Sequence, residues 1–154
     1  GGQGFVQSWV SFTNLSGADL SGKLSWVKPP AAAGSYPGGF SFQTGLAGSG
    51  YTRPGAGQPV LGFVNATLLL SGGSPEQSLS NEFALGSHYK LSLPAQQLQL
   101  SFNPTTGMFR GRLVALSAVK PLVFGGVVLA RQEQGLGWFL EGGLSGRVVL
   151  ERAP

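Results

Sequence analysis

From Gln97 to Phe102 the chain alternates without a break, with Leu98, Leu100 and Phe102 at one set of positions and Gln97, Gln99 and Ser101 at the other. A period of two is the signature of a strand that buries one face and wets the other. Asn103-Pro104-Thr105-Thr106-Gly107 follows. There Asn can bond back to the turn through its side chain, Pro presets φ, and Gly accepts the left-handed conformation that closes the loop. Met108 to Val114 then returns as the partner strand, which makes 97–114 a hairpin. Comparable strand patterns cover Phe5 to Phe12, Lys23 to Val27, Gly39 to Gln43, Val60 to Leu70, Ser78 to Leu85 and Tyr89 to Leu93. Leu122 to Ala130, Leu136 to Leu140 and Gly146 to Glu151 complete the set, with Gly142-Gly143 as a tight hairpin turn. Leu122 to Leu129 is apolar at both sets of positions, as a strand covered on both faces would be. Gly125 and Gly126 inside it predict a bulge, a sharp bend or a close backbone approach. No helical period is sustained anywhere.

Two stretches read as long loops, Pro29 to Pro37 and Gly45 to Gln58, because their glycines and prolines resist regular pairing. A short phrase recurs: Leu20-Ser21-Gly22-Lys23-Leu24, Phe109-Arg110-Gly111-Arg112-Leu113 and Leu144-Ser145-Gly146-Arg147-Val148. Each predicts a strand whose glycine lets a neighbour approach, followed by an exposed cation. The expectation is an all-β fold: an antiparallel β-barrel or barrel-like sandwich of about ten short strands joined by Gly/Pro turns. It is read as a single domain over 1–154, with 1–12 as an exchangeable N-terminal strand.

Composition sharpens this picture. Only 10% of residues are charged, against roughly 25% in an average soluble domain. The 26 glycines fit many turns better than helices, whose exposed faces are normally filled with Glu, Lys, Arg and Ala. The net charge of +4 comes from 10 basic against 6 acidic residues. The densest basic spot is Arg110 and Arg112, which is too sparse for the clustered stripe that nucleic-acid binding wants. Cysteine is absent, so there is no disulfide framework and no thiolate site. The start, Gly1-Gly2-Gln3, reads as a piece cut from something longer. No apolar run reaches the roughly 18 residues of a membrane helix. An outer-membrane barrel is disfavoured by the ending Arg152-Ala153-Pro154 and the lack of paired aromatic girdles.

Catalysis needs convergent groups, and the acids are Asp19, Glu76, Glu82, Glu133, Glu141 and Glu151. Most of them read as solvated turn or strand-end residues rather than a paired-carboxylate site. His88 is the sole histidine, which argues against a zinc site and leaves no triad flanked by a nucleophile elbow. The glycines follow neither phosphate-loop nor dinucleotide spacing, and a single Asp is too few for calcium. The reading is therefore no enzyme and no cofactor.

Aromatic residues offer a binding surface instead. Trp26 precedes Pro29-Pro30, and Tyr36 and Tyr51 lie in or beside the long loops. With Arg53 as a polar partner, Trp26, Tyr36 and Tyr51 make the candidate ligand surface, suited to a glycan. Trp9 and Trp138 alternate with apolar neighbours and are read as core. Asn14-Leu15-Ser16 and Asn65-Ala66-Thr67 fit the N-glycosylation triplet, the latter inside a strand.

Several phrases, each occurring once, follow one another along the chain. They are Phe5-Val6-Gln7-Ser8-Trp9, Gly22-Lys23-Leu24-Ser25-Trp26, Tyr36-Pro37-Gly38-Gly39-Phe40, and Phe102-Asn103-Pro104-Thr105-Thr106-Gly107-Met108-Phe109-Arg110-Gly111. Pro121 to Leu129, Gly137-Trp138-Phe139-Leu140 and Ser145-Gly146-Arg147-Val148 complete the series. In that order they resemble the C-terminal β-rich region of very large secreted or surface proteins of planctomycete- and verrucomicrobia-type bacteria. The resemblance spans nearly the whole chain and rests on turns and strands. It implies an all-β fold in an extracellular or envelope setting and carries no catalytic residues.

The functional expectation is a non-catalytic extracellular or cell-surface module for adhesion, anchoring or assembly. Its partners are other protein chains, either a parent protein or copies of itself. The alternatives are a self-assembling subunit of a filament or tube and a carbohydrate-binding module. For assembly, the candidate donated strand is Phe5, Val6, Trp9, Val10 and Phe12, since few edge charges oppose pairing.

Overall fold

Alternation and turn chemistry produce a nearly all-β protein, with 62% of residues in strands and 4% helical. The computed structural model describes residues 4–15, 18–73, 78–87, 89–114 and 121–154. Contacts gather into two compact units, Gly1–Gly50 and Tyr51–Pro154.

The first unit is a three-stranded antiparallel meander of β1 (Phe5–Leu15), β2 (Ala18–Lys28) and β3 (Phe40–Gly48), with β2 in the middle. β3 runs through Gly45–Gly48, which the sequence assigns to a loop. The long partner accounts for this: β2 keeps offering ladder groups, and pairing continues from Lys23↔Gly45 to Leu20↔Gly48. Backbone hydrogen bonding there outweighs the poor strand propensity of glycine. The connection from β2 to β3 is the expected loop. Lys28 Nζ donates to the Tyr36 carbonyl at 2.9 Å, and Tyr36 itself sits in the left-handed region at φ 54°.

The second unit is a curled, eight-stranded antiparallel half-barrel. It comprises β4 (Asn65–Gly72), β5 (Leu79–Ala84), β6 (Lys90–Leu93), β7 (Leu98–Asn103), β8 (Met108–Leu113), β9 (Leu122–Leu129), β10 (Gln134–Glu141) and β11 (Leu144–Arg152). The order β5-β4-β11-β10-β9-β8-β7-β6 makes β6 to β11 an up-and-down meander that ends beside β4, leaving β5 and β6 as edges. The β7–β8 hairpin is built as its sequence predicts. Asn103 Oδ1 accepts from the Thr105 amide at 2.9 Å, and the Gly107 amide donates to the Asn103 carbonyl at 2.9 Å. Gly142 and Gly143 both have positive φ, 58° and 86°, as a two-residue hairpin turn requires. A 3-10 turn, Ala130–Gln132, capped by Glu133 at φ 47°, links β9 to β10, which starts at Gln134.

One face of this sheet carries the core: Leu68, Leu70, Leu98, Leu100, Phe109, Phe124, Phe139, Val148 and Leu150 are buried. Val60, Leu61 and Phe63 pack into the same cluster, although the strand expected over Val60–Leu70 begins only at Asn65. Asn65 thus opens a strand rather than sitting inside one. The curl has a visible cause. Three phenylalanine rings lie on glycines of neighbouring strands: Phe124 over Gly111, Phe109 over Gly126, and Phe139 over Gly146. Removing a side chain at each crossing lets the ring take its place and the strands bend around it.

The recurring Gly-cation phrase therefore marks real strand interiors. Gly22, Gly111 and Gly146 lie in β2, β8 and β11, each under a neighbour's ring or backbone, and Lys23, Arg112 and Arg147 after them are exposed. β9 differs from expectation, because Val123 is 67% exposed and Val127 is also exposed. It is central in the sheet but covered on one face only. Its register past Gly125 and Gly126 is unbroken, so there is no bulge there. Gly126 marks a close approach instead, since a Cβ would meet the Phe109 ring at 2.5 Å.

Candidate functional site

The four residues of the predicted ligand surface belong to different units. Trp26 and Tyr36 lie in the first and share a neighbour. Trp26 meets Phe40 edge-on at 5.2 Å between ring centroids, and Tyr36 meets the same Phe40 at 5.5 Å. Phe42, opposite Trp26 in the ladder, completes the cluster at 5.9 Å from Trp26. The signal for Phe40 and Phe42 was the alternation Phe40-Ser41-Phe42, which places both on one side of β3.

Tyr51 and Arg53 lie in the second unit, and Tyr51 is structural. Its hydroxyl donates to the Pro104 carbonyl at 3.0 Å, and its ring covers Gly107 at the β7–β8 turn. Burial raises the Tyr51 pKa above 10.0, with Tyr89 adding to the rise and Arg53 opposing it. Tyr51 thus holds the hairpin tip in place, while Arg53 is exposed.

The predicted donated strand is an open edge. β1 pairs only with β2 in its sheet, and Phe5, Val6, Trp9, Val10 and Phe12 are all exposed, Trp9 to 79% and Phe12 to 84%. Trp9 is therefore not core. Trp9 stands opposite Lys23, on the more polar face of the sheet, and neither face of this sheet buries a described side chain fully. Val6, Val10 and Phe12 share the other face with Trp26, Phe42, Leu24 and Leu46. Among the described residues, no side chain of the first unit is fully buried.

Trp138 likewise leaves the core, at 60% exposure. It stands on the outer face of the half-barrel in a row that crosses six strands: Lys90, Ser101, Arg110, Gly125, Trp138 and Arg147. A second row, Ser92, Gln99, Arg112 and Val123, runs beside it. Lys90, Arg110 and Arg112 line a groove of about 420 Å³ together with Gln99, Ser101 and Val123. No ion pair engages these cations among the described residues. The acids of the same face, Glu82 and Glu151, flank Thr67 instead, beyond the row of Met108, Val127, Leu136, Val149 and Leu69. Sequence reasoning noted Arg110 and Arg112 but not this surface, because its members are far apart along the chain.

Among the described residues, no group of three or more His, Cys, Asp or Glu comes together to hold a metal ion. No described helix is long and apolar enough to cross a membrane. His88, Glu76 and the Asn14 triplet with Ser16 lie outside the described residues or side chains. Compared with known proteins, the chain matches no family model, no curated protein and no solved structure.

Proposed function

We propose that this chain is a non-catalytic extracellular or cell-surface β module that works by attachment to other protein chains, through strand β1. One observation carries this reading. β1 is an eleven-residue edge strand, Phe5–Leu15, without a charge, proline or glycine. Sheet edges are normally blunted by Lys, Pro or bulges; the one register irregularity of β1 lies at its end, between Phe12 and Leu15, so the regular stretch Phe5 to Phe12 is a template for a further strand. The simplest partner is a second copy. Antiparallel self-pairing with Trp9 opposite Trp9 sets Val6 against Phe12 and Ser8 against Val10. The apolar faces of both sheets then lie on one side, and no like charges meet. The outer setting is part of the proposal and rests on low charge and absent cysteine.

Light scattering across a concentration series tests the attachment. The wild-type chain should associate as concentration rises, whereas Ser8→Lys/Ser11→Lys should stay monomeric with an unchanged far-UV spectrum. A wild-type chain that remains monomeric, or a double variant that associates equally, would remove β1 as the attachment site.

A further inference from the structure

We infer that the outer face of the half-barrel binds an anionic polysaccharide, one whose sugar rings carry carboxylate or sulfate groups. This site lies in the second unit and does not depend on pairing by β1. Register creates it. Four of the chain's ten basic residues, Lys90, Arg110, Arg112 and Arg147, fall in two adjacent rows of one face. The longer row, from Lys90 to Arg147, crosses five strand spacings and so extends about 24 Å, room for several sugar rings.

The chemistry between the cations suits sugars. Gln99 lines the groove with a neutral amide donor and acceptor, and Ser101, whose hydroxyl donates to the Arg110 carbonyl at 3.4 Å, adds a neutral acceptor, groups of the kind that pair with sugar hydroxyls. Trp138 supplies an exposed indole for stacking, and it stands between Gly125 and Arg147 in the ladder. Gly125 separates it from Arg110 in the row, and a Cβ there would meet only the Phe109 carbonyl, at 3.4 Å. The missing side chain leaves a cleared strip beside the indole, where a pyranose ring can lie flat with its acid group turned toward Arg110. A nucleic-acid backbone fits less well. It calls for denser positive charge and repeated stacking rings, whereas here the cations are spaced by Ser and Gln beside one indole.

The test uses the full chain with four probes: polygalacturonate, heparin, neutral dextran and a single-stranded DNA oligomer, each titrated at low and moderate salt. Binding of polygalacturonate or heparin, but not dextran, is expected, and the stronger of the two identifies carboxylate or sulfate as the anion. Arg110→Gln/Arg112→Gln and Trp138→Ala should each weaken that binding by about tenfold. Gly125→Val fills the cleared strip while favouring the strand, so it should weaken binding with thermal stability retained. Arg152→Gln, outside both rows, should leave it unchanged. The inference is overturned if neither acidic glycan binds. Glycan binding indifferent to Trp138→Ala and Gly125→Val overturns it too, since that is mere ion exchange, as does DNA binding as tightly as the better glycan.

Discussion

At the scale of single residues, two side chains show how burial sets energetics here. Thr67 is buried on β4, and its hydroxyl has no hydrogen-bond partner among the described residues. Thr67→Val keeps the β-branched shape and removes an unsatisfied polar group. It should therefore stabilise the protein by about 1 kcal/mol, read as a higher denaturant midpoint with unchanged slope. Tyr51 is the opposite case, a half-buried hydroxyl with its partner in place. Tyr51→Phe should cost about 0.5–1.5 kcal/mol for the lost bond to Pro104. Its raised pKa also gives a pH signature. Burial favours the neutral phenol when folded, so this contribution is whole below the unfolded value near 10 and is lost as pH rises through the folded value. Denaturation series on either side of pH 10 should show an alkaline loss of stability that Tyr51→Phe reduces. Tyr51 was legible as a loop aromatic but not as a clamp, because its partner Pro104 lies 53 residues away.

Among elements, the glycines inside strands decide the shape. Gly111 and Gly146 sit under the Phe124 and Phe139 rings, and Phe139 is almost wholly buried with no room to retreat. Gly111→Ala and Gly146→Ala should each destabilise by about 1–3 kcal/mol through overpacking. Gly125→Ala, whose methyl would make only ordinary contact, should be close to neutral, and thermal melts of the three would separate these cases. The strands themselves were legible where polar and apolar residues alternate, as in β7, and where turn residues are specific, as at Asn103 to Gly107 and Gly142-Gly143. Element ends were not. β3 was extended by the reach of its partner, and β4 starts five residues later than the apolar run Val60–Leu70 suggests. An apolar run states that residues are buried. It does not state whether a ladder or a packed loop buries them.

Over the whole molecule, burial is uneven. The second unit holds every fully buried side chain among the described residues, while the first has none. Amide protection follows buried apolar contact, so hydrogen exchange should be faster across β1 to β3 than across β4, β10 and β11. Mass-spectrometric exchange on the full chain would show it, and uniform protection would contradict it. The same unevenness leaves an apolar sheet face and an uncharged edge in the first unit, and a zoned outer face of basic, apolar and acidic rows in the second.

Local chemistry by itself determined the fold class, the hairpin at 97–114, the glycine turns and the exposed cations after the strand glycines. Each depends on residues within a few positions of one another. Tertiary structure alone decided which strand faces point outward and which rows cross the sheet. Trp9 and Trp138 show the difference. Alternation places each on one side of its strand. Only pairing with Gly125 and Arg147 puts Trp138 on the open side of a sheet whose other face is the core, and only the lack of full burial on either face of its sheet exposes Trp9. The basic and aromatic row on the half-barrel exists for the same reason: register gathers Lys90, Arg110, Trp138 and Arg147 from four strands that sequence separation keeps apart.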